Sequence, residues 1–128
     1  DLPGVRVASD YQLNVEHAAD VADSGLAIFI DASRAAEDPF EFSKLAAENR
    51  NDFTTHAMLP ETVLETCRRV YGKLPPAYVL AVLGEKFDLG QEPDSEMRRR
   101  LDTAAGLLER ILRSDDPAEA CREAAGDN

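Results

Sequence analysis

Residues 25 to 33 read Gly-Leu-Ala-Ile-Phe-Ile-Asp-Ala-Ser, so that five consecutive apolar residues run directly into a carboxylate. A strand that is apolar on both faces is typical of the middle of a mostly parallel sheet with helices on each side. We therefore predict an inner strand over Leu26–Ile30, with Asp31 at its carboxyl end. In open α/β sheets this end is where ligands and chemistry collect. The alternative is that Asp31 only caps the turn that follows the strand.

The composition is that of one acidic globular domain. The chain has 128 residues, of which 44% are hydrophobic and 30% charged, and its formal net charge is -11. Such a charge disfavours binding to nucleic acid or to anionic lipid. The one basic run, Arg98-Arg99-Arg100, lies within a predicted helix among acidic residues, and we interpret it as a solvated helical face.

The cysteines and the hydropathy bear on the cellular location. Cys67 and Cys121 are far apart and form no C-x-x-C motif, so neither a disulfide framework nor a structural zinc site is indicated. No stretch is long enough to span a membrane, and we expect a cytoplasmic protein. The opening residues Asp1-Leu2-Pro3-Gly4 resemble neither a signal peptide nor an initiation site, which suggests a fragment, a processed form or a sequence without its leading residues.

Apolar periodicity and turn residues predict alternating strands and helices. The predicted strands are a short edge strand over Val5–Ala8, a half-exposed strand over Pro39–Phe42 and a second inner strand over Tyr78–Leu83, and the predicted helices span about 14–22, 61–71 and 95–113. This order predicts a three-layer α/β/α domain over residues 1–114, with a mostly parallel central sheet. Residues 115–128 read as an acidic, Ala-rich helical tail that is frayed or weakly docked.

Two of the helices have clear apolar faces. The face of the helix over 61–71 consists of Val63, Leu64, Cys67, Val70 and Tyr71. The stripe of the helix over 95–113 consists of Met97, Leu101, Ala104, Ala105, Leu108, Ile111 and Leu112.

Several common catalytic motifs are absent from the sequence, and their absence argues against the enzyme classes that use them. The sequence contains none of four common catalytic or nucleotide-binding motifs. They are the dinucleotide-binding Gly-x-Gly-x-x-Gly, the P-loop, Gly-x-Ser-x-Gly and His-Glu-x-x-His. The two histidines are His17, in the first turn of a predicted helix, and His56, on a loop before the helix over 61–71. An imidazole from His56 and the carboxylate of Asp31 would suit a borderline metal such as nickel or zinc. Two donors are fewer than such a metal needs, so the residues alone leave a metal role open.

Four segments in order carry a resemblance to a known family. They are Tyr11-Gln12-Leu13-x-x-Glu16-x-Ala18, then Ile28-Phe29-Ile30-Asp31-Ala32, then Thr55-His56-x-x-x-Pro60, then Gly84-Glu85-x-Phe87-x-Leu89-Gly90. Together they resemble the hydrogenase maturation proteases, endopeptidases that remove a C-terminal extension from the large-subunit precursor of [NiFe] hydrogenases after nickel insertion. The likeness runs from about Val5 to the end of the last long helix.

The resemblance implies that Asp31 and His56 are two of the family's three metal-contacting side chains. The nickel would be presented by the precursor, and no organic cofactor is expected. The metal would position the scissile bond, which either a metal-polarised or a carboxylate-assisted water could attack.

One motif of the family is missing from this sequence. It is Gly-Asn-x-x-x-x-Asp-Asp/Glu-Gly, which follows the family's first strand and supplies the third metal-contacting residue. We expect the chain to begin after it and to be inactive by itself, unless Asp10 or Glu16 replaces the absent ligand. The alternative is a non-catalytic α/β module that binds a partner protein. A flavodoxin-like, phosphate-binding domain is disfavoured by the negative charge and by the absence of a Gly-rich loop.

Overall fold

The computed structural model of the chain describes residues 4–7, 13, 16–48, 59–84 and 94–126. Its elements are α1 (Glu16–Ala22), β1 (Ala27–Ser33), β2 (Phe40–Lys44), α2 (Pro60–Tyr71), β3 (Ala77–Leu83), α3 (Ser95–Arg113) and α4 (Pro117–Ala124). The predicted mixed α/β class is therefore confirmed. Within these ranges no helix is both long enough and apolar enough to span a membrane.

The three strands form one mixed sheet in the order β1-β3-β2. β2 runs antiparallel to β3, with Phe40 opposite Val82, Phe42 opposite Leu80 and Lys44 opposite Tyr78. Because the sheet is mixed, β1 and β3 are its parallel pair. A three-layer domain with a mostly parallel sheet stays a prediction.

β3 is the central strand, as its continuous apolar sequence predicts. Tyr78, Leu80 and Val82, which alternate along one face, are almost completely buried. The ring of Phe42 on β2 stacks on Tyr78, with the ring centroids 5.4 Å apart and the ring planes within 6° of each other. Such an offset diagonal pair adds to the burial free energy of the sheet.

β1 differs from the predicted inner strand. It spans Ala27–Ser33 instead of Leu26–Ile30, and in the part of the chain that the structure describes it is an edge strand beside β3. Ile30 is 60% exposed. Among the described residues the predicted inner position is therefore wrong, because a continuous apolar run shows that a strand is apolar on both faces but not how many strands lie beside it.

The backbone contacts divide the chain into two compact units. The first contains residues 3–27 and 45–77, including α1 and α2, which pack against each other. Its buried hydrophobic residues in the described ranges are Ala18, Val21, Val63, Leu64, Cys67 and Ala77. Both helices agree with the predicted spans of 14–22 and 61–71, and buried Cys67 confirms its predicted place in the core.

The predicted apolar face of α2 is wrong at its C-terminal end. Val70 and Tyr71 are exposed. Helical spacing places both residues near the apolar face of α2, but it does not show how far along the helix that face is covered. α2 ends at Gly72, whose φ of 66° is left-handed and whose N–H donates to the carbonyl of Arg68.

The second unit contains residues 28–44 and 78–128, including most of the sheet with α3 and α4. α3 is confirmed over its predicted span and is capped by Asp94, whose side chain accepts from the N–H of Met97 at 2.8 Å. The buried residues of α3 are Met97, Ala104, Leu107 and Ile111. Leu107 is buried although the predicted stripe did not include it. Ala105 belonged to the predicted stripe but is exposed.

The segment predicted as a frayed or weakly docked helical tail is helical, as predicted, but the helix is packed. α4 begins after Asp116, whose carboxylate accepts from the N–H of Glu119, and it packs on α3 and β2. Cys121 is fully buried there. The packing of α4 could not be predicted from its short Ala-rich sequence, because one buried side chain per two turns leaves almost no apolar periodicity.

The predicted edge strand over Val5–Ala8 is wrong in its described part. Residues 5–7 have no strand hydrogen bonding, and both Val5 and Val7 are exposed. Alternating apolar residues over four positions are too short a signal to establish a strand.

Candidate functional site

Asp31 is the predicted site residue that the structure describes. It is the fifth residue of β1 and is exposed, and the strand continues through Ala32 to Ser33. The sequence had predicted Asp31 at the tip of the strand. In the structure it lies close to the carboxyl end, two residues before the last residue of β1.

The parallel strands β1 and β3 end at the same edge. The N–H of Gly84, the residue after β3, donates to the carbonyl of Ser33 at 3.2 Å. This bond joins the last residue of β1 to the first residue beyond β3. The carboxyl ends of two parallel strands thus meet, which is the arrangement that forms ligand sites in α/β proteins.

The turn after β1 is held by Ser33. Its Oγ accepts from the N–H of Ala35 at 3.2 Å, and its carbonyl accepts from the N–H of Ala36 at 3.4 Å. Ala36 is buried. These bonds stabilise the turn that begins directly after β1.

Arg100 of α3 donates hydrogen bonds to three groups near the edge at which β1 and β3 end. Its Nε donates to Oδ1 of Asp38 at 3.0 Å, and one Nη donates to Oε2 of Glu96 at 3.1 Å. The other Nη donates to the carbonyl of Leu83 at 3.4 Å, at the end of β3. The side chain is only 16% exposed. The guanidinium thereby connects the loop after β1, the end of β3 and the first turn of α3.

The role of Arg100 was missed because Arg98-Arg99-Arg100 was interpreted as a solvated face. That interpretation holds for exposed Arg98 and Arg99 and is wrong for Arg100. A signal was present, since Arg100 precedes buried Ala104 by four residues and follows Met97 by three, and these spacings share a helix face.

Gly84 allows α3 to approach the end of β3 closely. A β-carbon on this residue would lie 2.8 Å from Cε of Met97 and closer still to its Sδ. Met97 is buried in the first turn of α3. A side chain at Gly84 would therefore have to displace Met97 from the edge that carries the candidate site.

His56 and Asp10 lie outside the described residues, so the proposed pairing of His56 with Asp31 stays a prediction. Glu16, the other suggested replacement ligand, is an exposed residue in the first turn of α1. Within the ranges that the structure describes, no three His, Cys, Asp or Glu side chains are grouped so that they could hold a metal ion.

The two thiols are poor candidates for nucleophiles or ligands. Burial raises the pKa of Cys67 and raises that of Cys121 to about 11. Sγ of Cys67 also donates to the carbonyl of Lys73 at 3.1 Å. Both thiols are therefore protonated and enclosed at neutral pH, which is typical of structural cysteines.

The comparisons with known proteins add no family to this description. The chain matches no family model, and neither a curated protein nor a solved structure is significantly similar to it.

Proposed function

We propose that this chain belongs to an endopeptidase that removes the C-terminal extension of a [NiFe] hydrogenase large-subunit precursor after nickel insertion. The observation that carries the proposal is the order of four sequence segments, from Tyr11 to Gly90, that resemble the hydrogenase maturation proteases. The edge at which β1 and β3 end together, with exposed Asp31 two residues before the end of β1, supports it.

In the proposed mechanism the substrate brings its own metal. The carboxylate of Asp31 and the imidazole of His56 bind the nickel already held by the precursor, and this contact fixes the scissile peptide bond beside the sheet edge. Water adds to the carbonyl carbon and the C–N bond breaks, which releases a new carboxylate and the amine of the extension. A metal-polarised water and a carboxylate-assisted water remain the two candidate nucleophiles. The cysteine spacing favours a cytoplasmic enzyme, and the alternating order of strands and helices favours a three-layer α/β/α fold.

Selectivity in this mechanism depends on the state of the precursor. A precursor without nickel offers no metal to Asp31 and His56, so its extension is not positioned for cleavage. The enzyme therefore acts only after the metal centre of its substrate is loaded.

The test is the shift in precursor length on a gel. The complete product of the encoding gene is used, so that the outcome does not depend on where the present sequence starts. Asp31→Asn and His56→Ala should each lower the rate at least 10- to 100-fold, because an amide or a methyl group is a poor replacement for a metal ligand. Nickel-free precursor should stay uncut.

Matched substitutions control for nonspecific damage. His17→Ala removes the other histidine, and Asp102→Asn makes the same carboxylate-to-amide change on the exposed face of α3. Both should cleave normally. Cleavage of nickel-free precursor, or normal cleavage by the Asp31→Asn/His56→Ala double variant, would contradict the proposal. Binding of the precursor without cleavage would instead favour the partner-binding module.

A further inference from the structure

The C-terminal end of α2 carries a cluster of exposed apolar side chains. Val70 is 65% exposed, Tyr71 47% and Leu74 52%. In the described ranges six large hydrophobic residues are exposed, and half of them fall within these five positions. Single exposed apolar residues are ordinary, whereas clusters of them mark interaction sites. We call Val70, Tyr71 and Leu74 the α2-end patch.

Basic residues flank the patch in the sequence of an otherwise acidic chain. Arg68, Arg69 and Lys73 flank it, and no acidic residue occurs between Thr66 and Gly84. Glu65 opposes these three cations, which leaves a local net charge of +2 in a chain whose net charge is -11. The side chains of Arg68 and Arg69 are 52% and 60% exposed.

Hydrogen bonds fix this surface in place. The carboxylate of Glu65 accepts two bonds from Arg68, each of 2.7 Å, and one of 3.1 Å from Nε of Arg69. The turn after the helix is held by the bond from Gly72 N–H to the Arg68 carbonyl and by the contact of Cys67 Sγ with the Lys73 carbonyl. A surface ordered in advance loses less conformational entropy when it binds.

Helix stability explains only part of this arrangement. Basic residues in the last turn of a helix interact favourably with its dipole, and this accounts for Arg68 and Arg69. It gives no reason for leaving two large aliphatic side chains and a tyrosine in water, where each loses burial free energy. The combination of an apolar centre with a cationic rim is what a binding surface presents.

We propose that the α2-end patch docks an acidic segment of a partner protein, with apolar side chains on one face and carboxylates beside them. The apolar face covers Val70, Tyr71 and Leu74, and the carboxylates pair with the flanking cations. A second copy of this chain is a poorer occupant, because a two-fold interface sets the same surface against itself and would bring arginine against arginine. This docking surface is additional to the proposed metal-recognising pair.

The test measures binding of short, fluorescently labelled synthetic helical peptides to the chain. The probe peptide has a leucine stripe flanked by glutamates. One comparison peptide replaces the leucines by serine, and another replaces the glutamates by lysine. The leucine–glutamate peptide should bind most tightly, and its affinity should fall as NaCl is raised from about 0.05 to 0.5 M, because salt screens the charge pairs.

Variants then locate the site. Tyr71→Ser combined with Leu74→Ser should weaken binding about tenfold, the loss typical of an interface anchor. Lys73→Gln should weaken it less and lower the salt dependence, while the Glu65–arginine bonds stay intact. Val7→Ser is the matched control, since Val7 is 89% exposed and lies elsewhere in the sequence. Urea midpoints equal to that of the unsubstituted chain verify that the variants are folded.

Three results would overturn the inference. One is equal affinity for the Tyr71→Ser/Leu74→Ser variant and the unsubstituted chain. Another is equal or tighter binding of the lysine peptide. The last is a concentration-dependent dimer of the chain that is lost in the Tyr71→Ser/Leu74→Ser variant, which would make a second copy the occupant.

Discussion

Arg100 and Asp38 are 62 residues apart in sequence, and Nε of the arginine lies 3.0 Å from Oδ1 of the aspartate. This hydrogen bond holds the loop that follows β1 against α3. The same guanidinium reaches the carbonyl of Leu83, so the loop, the central strand and the helix share one anchor. Residues of the candidate site edge are thus held by a side chain that lies outside the proposed chemistry.

We expect Arg100→Ala to lower the free energy of unfolding by about 1–2 kcal/mol, because the part-buried carbonyl of Leu83 loses this donor and a largely buried side chain is removed. Arg113→Ala, the control, removes an exposed arginine paired with Glu109 four residues before it, and should cost at most about 0.5 kcal/mol. Urea unfolding of the two variants measures the difference. Equal midpoints would show that Arg100 contributes no more than a surface pair.

Glu65 should make stability depend on acid pH. The hydrogen bond from Arg68 is the main cause that lowers its pKa in the folded chain to about 2 from an ordinary 4.5, with Arg69 adding to the effect. The unfolded chain therefore binds this proton more readily. The stabilisation is fully present above pH 4.5 and is lost as the pH falls from about 4.5 towards about 2.

Urea titrations at several pH values test this expectation against Glu65→Gln. The difference in unfolding free energy between the original chain and the variant should be largest near neutral pH and should shrink in acid. A difference that stays constant down to about pH 2 would contradict the assigned pKa.

Two glycines should respond in opposite directions to replacement by alanine. Gly106 lies within α3 with open space where a β-carbon would be, so Gly106→Ala should stabilise the chain by about 0.5–1 kcal/mol. Gly72 has a φ of 66° at the end of α2, so Gly72→Ala should destabilise it by about 1–2 kcal/mol. Thermal melts of the two variants compare them directly, and shifts of the same sign would be inconsistent with this backbone.

The thiols should react with a disulfide reagent only on unfolding. Cys121 is fully buried, and its pKa is about 11 instead of 9.0, so its thiolate fraction at about pH 8 is lowered roughly 100-fold. The absorbance of the released reagent should show both thiols reacting quickly in urea and slowly in buffer. Cys121→Ser and Cys67→Ser assign the two phases. Rapid labelling of Cys121 in buffer would mean that α4 does not protect it.

The local elements could be predicted from the sequence because their signals are local. Pro60 and Gly72 mark the ends of α2, Asp94 caps α3, and the apolar run at Tyr78–Leu83 produces the buried central strand. Each of these signals acts within a few residues through backbone dihedral preference, capping or side-chain spacing. The position of Asp31 near the end of β1 was predicted to within two residues for the same reason.

Tertiary structure alone decided which surfaces are buried. The first four residues of β1 are apolar, yet it is an edge strand in the described part of the chain. Val70 and Tyr71 follow helical spacing, yet they face solvent. Arg100 is charged, yet it is held beneath the loop at Asp38. Periodicity determines which residues share a face, but burial depends on the length and placement of the element opposite, and these are set by contacts between residues far apart in sequence.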